Sequence, residues 1–153
     1  MPRVMSLGVS GLDEVLAGGV RQGQVLLVEG VPGTGKTTLG LHFIFAGLQA
    51  QEPGLVVTFE EFPRQLYDDA LALGWDLRQA EAQGRLRLLS TSPQVFLDQL
   101  REAGGLIDTV VADIGAQRIL LDSVSHLAQV TYEPTQLRSL VYTACSTGSS
   151  APA

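Results

Sequence analysis

Short apolar runs alternate along this chain with longer stretches of helical periodicity. The runs lie at residues 25–28 (Val-Leu-Leu-Val), 55–59 (Leu-Val-Val-Thr-Phe), 86–89 (Leu-Arg-Leu-Leu) and 118–122 (Arg-Ile-Leu-Leu-Asp). Their length and branching predict strands, buried where the run is continuously apolar. Residues 38–46 are apolar nearly all round, which predicts a buried helix. Pro63 is placed to open a helix with Leu66, Ala70 and Leu73 on one face. A short charged helix then runs to Gln83. Ser92-Pro93 caps another helix, carrying Phe96 and Leu100, and Gly104-Gly105 interrupts it. Ile107, Val110, Val111 and Ile114 follow at i, i+3, i+4, i+7 and predict an amphipathic helix. Pro134 opens a last helical pattern with Leu137, Leu140 and Val141 on one side. Near the start, Ser10 is expected to cap a short helix over residues 11–17, with Asp13 and Glu14 in its first turn and Gly18-Gly19 as its stop. Strands that alternate with helices predict an α/β fold: a mostly parallel sheet with helices on both faces.

Composition narrows the class without changing that picture. A chain of 153 residues with 45% hydrophobic and 17% charged residues is long enough for one domain with a real core. No run of 18 apolar residues suggests a membrane span. The first residues lack the apolar centre of a secretory signal. The lone cysteine, Cys145, excludes an internal disulfide and suits a cytoplasmic protein. A net charge of −6 argues against strong nucleic-acid binding, which needs clustered Lys and Arg. Residues 144–153 are rich in Ser, Gly, Ala and Thr and read as a disordered tail behind a core of residues 1–143.

The chemistry concentrates between the first predicted strand and the helix after it. Gly30-Val31-Pro32-Gly33-Thr34-Gly35-Lys36-Thr37 matches G-x-x-x-x-G-K-[ST], and Thr38 continues it. Glycines let successive backbone N–H groups curl around a polyphosphate, and the following helix N-terminus adds partial positive charge. Lys36 would reach the β- and γ-phosphates, and the Thr37 hydroxyl would join a Mg²⁺ shell. Asp122 ends an apolar strand and is followed by Ser123, the pattern of a Walker B strand, and it is expected to hold that Mg²⁺ through a water, opposite Thr37. Glu60 and Glu61 follow the second strand, where one carboxylate could deprotonate an attacking water. In a parallel α/β sheet ligands gather beyond the carboxyl ends of the strands, so these three features converge on one rim. Trp75 and Tyr67 are expected to pack rather than stack on a base, and His42 to be a packed or surface residue rather than a ligand. Cys145 has neither a low-pKa setting nor an identifiable partner. His126, four residues beyond Asp122, is expected to lie apart from the site.

The order of these motifs resembles the KaiC-like branch of the RecA superfamily of ATPases. The residues that carry the resemblance are the lead-in at 6–19, the loop at 30–38, Thr58-Phe59-Glu60-Glu61, Leu73-Gly74-Trp75-Asp76 and Leu120-Leu121-Asp122-Ser123. It covers residues 6 to about 143. It implies a RecA-like P-loop NTPase that assembles into a homo-oligomer with ATP between subunits. By matching position, Lys36 and Thr37 bind phosphate and Mg²⁺, Glu60 and Glu61 activate water, and Asp122 acts on the metal. The family pattern continues for several strands past the Walker B region. It includes a strand inserted between the phosphate-loop strand and the Walker B strand, and a later finger residue. The expectation is therefore a fold incomplete at its C-terminal end, by truncation or frameshift. Two buried strands would then either close up and shift the site or leave an open gap. The function expected is ATP binding and Mg-dependent hydrolysis. The alternatives are a non-hydrolysing, nucleotide-dependent regulatory module or an inactive fragment.

Overall fold

The computed structural model describes residues 1–59, 63–102 and 104–128. Glu60, Glu61, the helical pattern after Pro134, Cys145 and the tail at 144–153 lie outside the described residues. The elements run β1 (Val4–Met5), α1 (Ser10–Val15), β2 (Val20–Arg21), α2 (Lys36–Gln49), β3 (Gly54–Thr58), α3 (Arg64–Ala72), α4 (Leu77–Ala82), β4 (Leu86–Ser90), α5 (Pro93–Arg101), α6 (Leu106–Ile114), β5 (Arg118–Asp122) and α7 (Val124–Ala128). The main sheet is three-stranded and parallel in the order β4-β3-β5, with Thr58 level with Ser90 and Asp122. β1 and β2 form a small antiparallel pair.

Alternation along β3 splits the core into two layers. Val56 faces Leu41, Ile44 and Leu48 of α2, with Leu66, Ala70, Trp75, Leu77 and Ala80 behind them. Leu55, Val57 and Phe59 face Phe96, Leu97, Ile107, Val110, Val111 and Leu127 on the opposite side. The β3-to-β4 crossover thus lies on the α2 face, and the β4-to-β5 crossover on the other. Moving to opposite sides of β3 over opposite faces keeps both crossovers the same hand, as βαβ units require. β3, buried along its whole length, is the centre of the structure.

The predicted strand at residues 25–28 differs. These residues join no ladder among the described residues, and Val25, Leu26, Leu27 and Val28 are 42%, 44%, 49% and 39% exposed. A strand needs a neighbour for its N–H and C=O groups. β5 already holds the position beside β3, and the outer edge of β5 carries no partner among the described residues. The apolar pattern is therefore that of a buried strand, without the ladder that would bury it. α2 is similarly less enclosed than its composition predicts: Leu41, Ile44, Gly47 and Leu48 are buried, whereas Phe43 and Phe45 are half-buried.

Close approach holds α2 on β5. Gly40 faces Leu120, and Gly47 lies against the Arg118 side chain, leaving no room for a Cβ at either glycine. Buried Arg118 donates from Nε to Glu52 at 2.6 Å and from a terminal nitrogen to the Phe43 carbonyl at 2.8 Å and the Ser6 carbonyl at 2.5 Å. Arg3 pairs with the other oxygen of Glu52. One guanidinium thus ties the lead-in, α2 and the turn after it to the start of β5, and among the described residues every buried charge is paired. Ser10 does not cap α1: Val9 is the N-cap and its side chain makes no capping bond. Asp13 stabilises the turn instead, accepting from the Ser6 hydroxyl at 2.6 Å and the Leu7 amide at 2.7 Å. Burial pushes its carboxyl up, but the Ser6 hydroxyl, the Leu7 and Gly8 amides and the Arg118 charge outweigh this and hold it below the usual range.

Other packing expectations take definite form. The carboxylate of Asp76 caps α4 through the Gln79 amide, and the Ser92 hydroxyl caps α5 through the Val95 amide. Trp75 is buried between His42, edge-on at 4.6 Å, and Phe45, stacked at 4.9 Å. Leu73, expected on the buried face of α3, is 46% exposed, because α3 ends at Ala72 and Gly74 turns the chain away.

Candidate functional site

The glycine loop connects the unpaired segment to the first turn of α2. Gly33 and Gly35 have φ of 83° and 92°, a left-handed backbone that side chains disfavour. Gly35 is the N-cap of α2. At Gly30 a Cβ would crowd the Thr34 hydroxyl, which donates to the Val31 carbonyl at 2.8 Å. Val31, Pro32, Gly33, Thr34, Gly35 and Thr38 are exposed, whereas Lys36 and Thr37 are half-buried. Lys36 Nζ donates to the carbonyls of Gly30 and Val31 at 2.7 and 3.0 Å, folding its ammonium over the loop it follows.

Across the loop stands the end of β5. The Thr37 hydroxyl donates to Asp122 Oδ2 at 3.0 Å, joining residues 85 positions apart. Both are hard oxygen donors, a pairing suited to Mg²⁺ completed by phosphates and water. Asp122 shares its end of the sheet with Thr58, its register partner on β3. The Phe59 amide extends that ladder by donating to the Asp122 carbonyl at 3.2 Å. Glu60 follows Phe59 directly in sequence, so β3 delivers the chain to this rim just before the acid pair. The Asp122–Ser123 peptide is cis.

A family model described as the KaiC ATPase matches residues 5–147. The chain belongs to the KaiC ATPase family. The fold is accordingly a RecA-like P-loop α/β domain, and the family is one of ATP-binding domains. A UPF0273 protein of Pyrococcus furiosus is 32% identical over 92% of this chain and 62% of its own length. Another, from Methanopyrus kandleri, is 37% identical over 80% of this chain and 54% of its own. The circadian clock oscillator protein KaiC of Prochlorococcus marinus is 33% identical over 80% of this chain and 26% of its own length. The chain therefore spans little more than half the length of the UPF0273 relatives it matches. Among the described residues no helix is long and apolar enough to cross a membrane, and no group of three or more His, Cys, Asp and Glu side chains stands ready for a metal ion.

Two features at this rim escaped the sequence reading. Gly40 permits the contact with Leu120 that brings α2 beside β5; a glycine inside an apolar helix was the available signal. His126 hydrogen-bonds Ser123, the residue after Asp122, with Nδ1 and Oγ 3.0 Å apart. Its spacing from Asp122 was visible in the sequence, but a chain separation of four does not reveal which way an imidazole turns.

Proposed function

We propose that this chain binds ATP with Mg²⁺ at the glycine loop and hydrolyses it. The observation that supports the reading is the Thr37–Asp122 contact, which sets two magnesium-type ligands beside a loop shaped for polyphosphate. The backbone of Gly30, Val31, Pro32, Gly33, Thr34 and Gly35 would wrap the phosphates, with amides from all but Pro32. Lys36 would exchange its two carbonyl partners for β- and γ-phosphate oxygens. Thr38 follows in the first turn of α2, where the helix N-terminus favours negative charge. Thr37 and Asp122 would hold Mg²⁺, which neutralises charge on the phosphates. One of Glu60 and Glu61 would take the proton of the attacking water. The water oxygen bonds to the γ-phosphorus, the bond to the β–γ bridging oxygen breaks, and ADP and phosphate leave. Family membership further supports an ATPase core and homo-oligomeric assembly.

The test is a thermal melt of the full chain with and without MgATP, beside Lys36→Ala. At a hundredfold excess over Kd a ligand specific for the folded state adds about 2.7 kcal/mol. The expected result is a rise with MgATP that Lys36→Ala abolishes; equal melts with and without MgATP would defeat the reading. The exposed segment at residues 25–28 favours a second reading, binding without turnover, because a loop hung from an unpaired segment is poorly fixed for chemistry. Phosphate release separates the two. Turnover lost in Glu60→Gln or Glu61→Gln supports the enzyme, and binding without release supports a nucleotide-dependent regulatory module.

A further inference from the structure

We propose that His126 is a positioning residue for the Asp122 carboxylate: through Ser123 it holds the end of β5 so that Asp122 stays beside Thr37. The inference rests on the Mg-nucleotide reading above and adds a residue to it. Three contacts meet at this strand end. Thr37 donates to the Asp122 carboxylate at 3.0 Å, the Phe59 amide donates to the Asp122 carbonyl at 3.2 Å, and His126 Nδ1 lies 3.0 Å from Ser123 Oγ. His126 is itself held by its backbone as well as its ring. Its backbone N–H donates to the Ser123 carbonyl at 3.1 Å, and its ring lies 6.0 Å from that of Phe59, which is edge-on to Phe96 at 5.4 Å. Leu127, fully buried, anchors α7 among Leu55, Val57 and Phe96. His126 therefore meets the Ser123 hydroxyl just after Asp122 and lies beside Phe59, whose backbone amide donates to the Asp122 carbonyl.

The physical consequence concerns Mg²⁺. That ion demands near-octahedral geometry and tolerates little angular error in a carboxylate. Partners that hydrogen-bond a metal ligand directly change metal affinity by about 10- to 100-fold when removed. His126 acts one residue further back, through Ser123, so the low end of that range is expected. If His126 only packed, its loss would lower stability and leave the magnesium dependence of nucleotide binding intact.

The experiment uses the full chain, with ATP as the nucleotide, and takes dissociation constants from the concentration dependence of Tm. The quantity compared is the ratio of Kd in EDTA to Kd in Mg²⁺. In His126→Ala this ratio is expected to fall by about tenfold, with Kd in EDTA unchanged. His126→Asn, which can keep a hydrogen bond to Ser123, is expected to recover most of it. Where His126→Ala does not melt cooperatively, Ser123→Ala takes its place, with the same fall expected. An unchanged ratio in these variants, with only a lower baseline Tm, overturns the proposal. A wild-type chain whose Tm ignores ATP, or whose ratio is already one, defeats the parent reading and this inference with it. That outcome is distinct from a wild-type magnesium effect that His126→Ala leaves intact.

Discussion

Gly40→Ala tests the close packing of α2 on β5. An added Cβ would lie 2.5 Å from Leu120 Cδ1, 2.9 Å from Cδ2 and 3.3 Å from Cγ. Carbon atoms in comfortable contact stand about 3.5–4.0 Å apart, so roughly 1 Å of space must be found. Two terms oppose each other. Alanine favours a helix interior over glycine by about 1 kcal/mol. Overpacking costs about 1–3 kcal/mol, toward the low end if the half-buried Leu120 can swing aside. The net expectation runs from neutral to about 2 kcal/mol of destabilisation, a Tm loss of up to about 8 °C for a domain of this size. Function is expected to suffer as well. Gly40 is one turn beyond Lys36 and Thr37, and Leu120 is two residues before Asp122, so parting the elements lengthens the 3.0 Å Thr37–Asp122 contact. The assay is thermal unfolding followed by circular dichroism, with and without MgATP. Gly11→Ala in α1 is the control, because nothing lies within 4 Å of the Cβ it would add. Combining Gly40→Ala with Leu120→Ala should cost less than the sum of the single changes, since the two share one contact. A Gly40→Ala chain stabilised by the full 1 kcal/mol would refute the close approach.

Tyr67 supplies a pH test. Burial, then the hydrogen bond and negative charge of Glu81, push its phenol up from 10.0 to about 12. The folded value lies above the unfolded one, so this contribution is fully present below pH 10 and is lost as pH rises through about 12. Ultraviolet titration should show a late-ionising component from Tyr67, and Glu81→Gln should bring it earlier; no late component would disprove the Tyr67–Glu81 contact, whose length is 2.7 Å. At the unpaired segment, Leu27→Ser should shift stability by no more than about 0.5 kcal/mol, because Leu27 is half exposed. Leu55→Ala, at a fully buried position of β3, should cost about 2–5 kcal/mol. Equal losses in a denaturant titration would mean that residues 25–28 are buried in solution.

Much of this molecule was legible because the relevant physics is local. Ser92 capping α5, the spacing of Ile107, Val110 and Val111, and Gly33 and Gly35 in a left-handed loop all depend on near neighbours in the chain. The helix over residues 11–17 was placed nearly correctly for an incorrect reason. Its turn is held by Asp13 reaching back to Ser6 and Leu7, a contact with no simple helical period.

The amino-acid sequence by itself determined the class of fold, the phosphate-type loop and the acid that closes β5. Those follow from apolar run length, glycine backbone freedom and residue type. Only the tertiary structure decided which strands are paired, because a ladder depends on the neighbour and not on the run. Residues 25–28 have the composition of a buried strand and no partner among the described residues, whereas residues 54–58 have two. Tertiary structure likewise decided that Thr37 meets Asp122, that Gly40 admits Leu120, and that His126 turns its ring toward Ser123. Each depends on two segments brought together in space, and side-chain direction is settled by what the other segment leaves open.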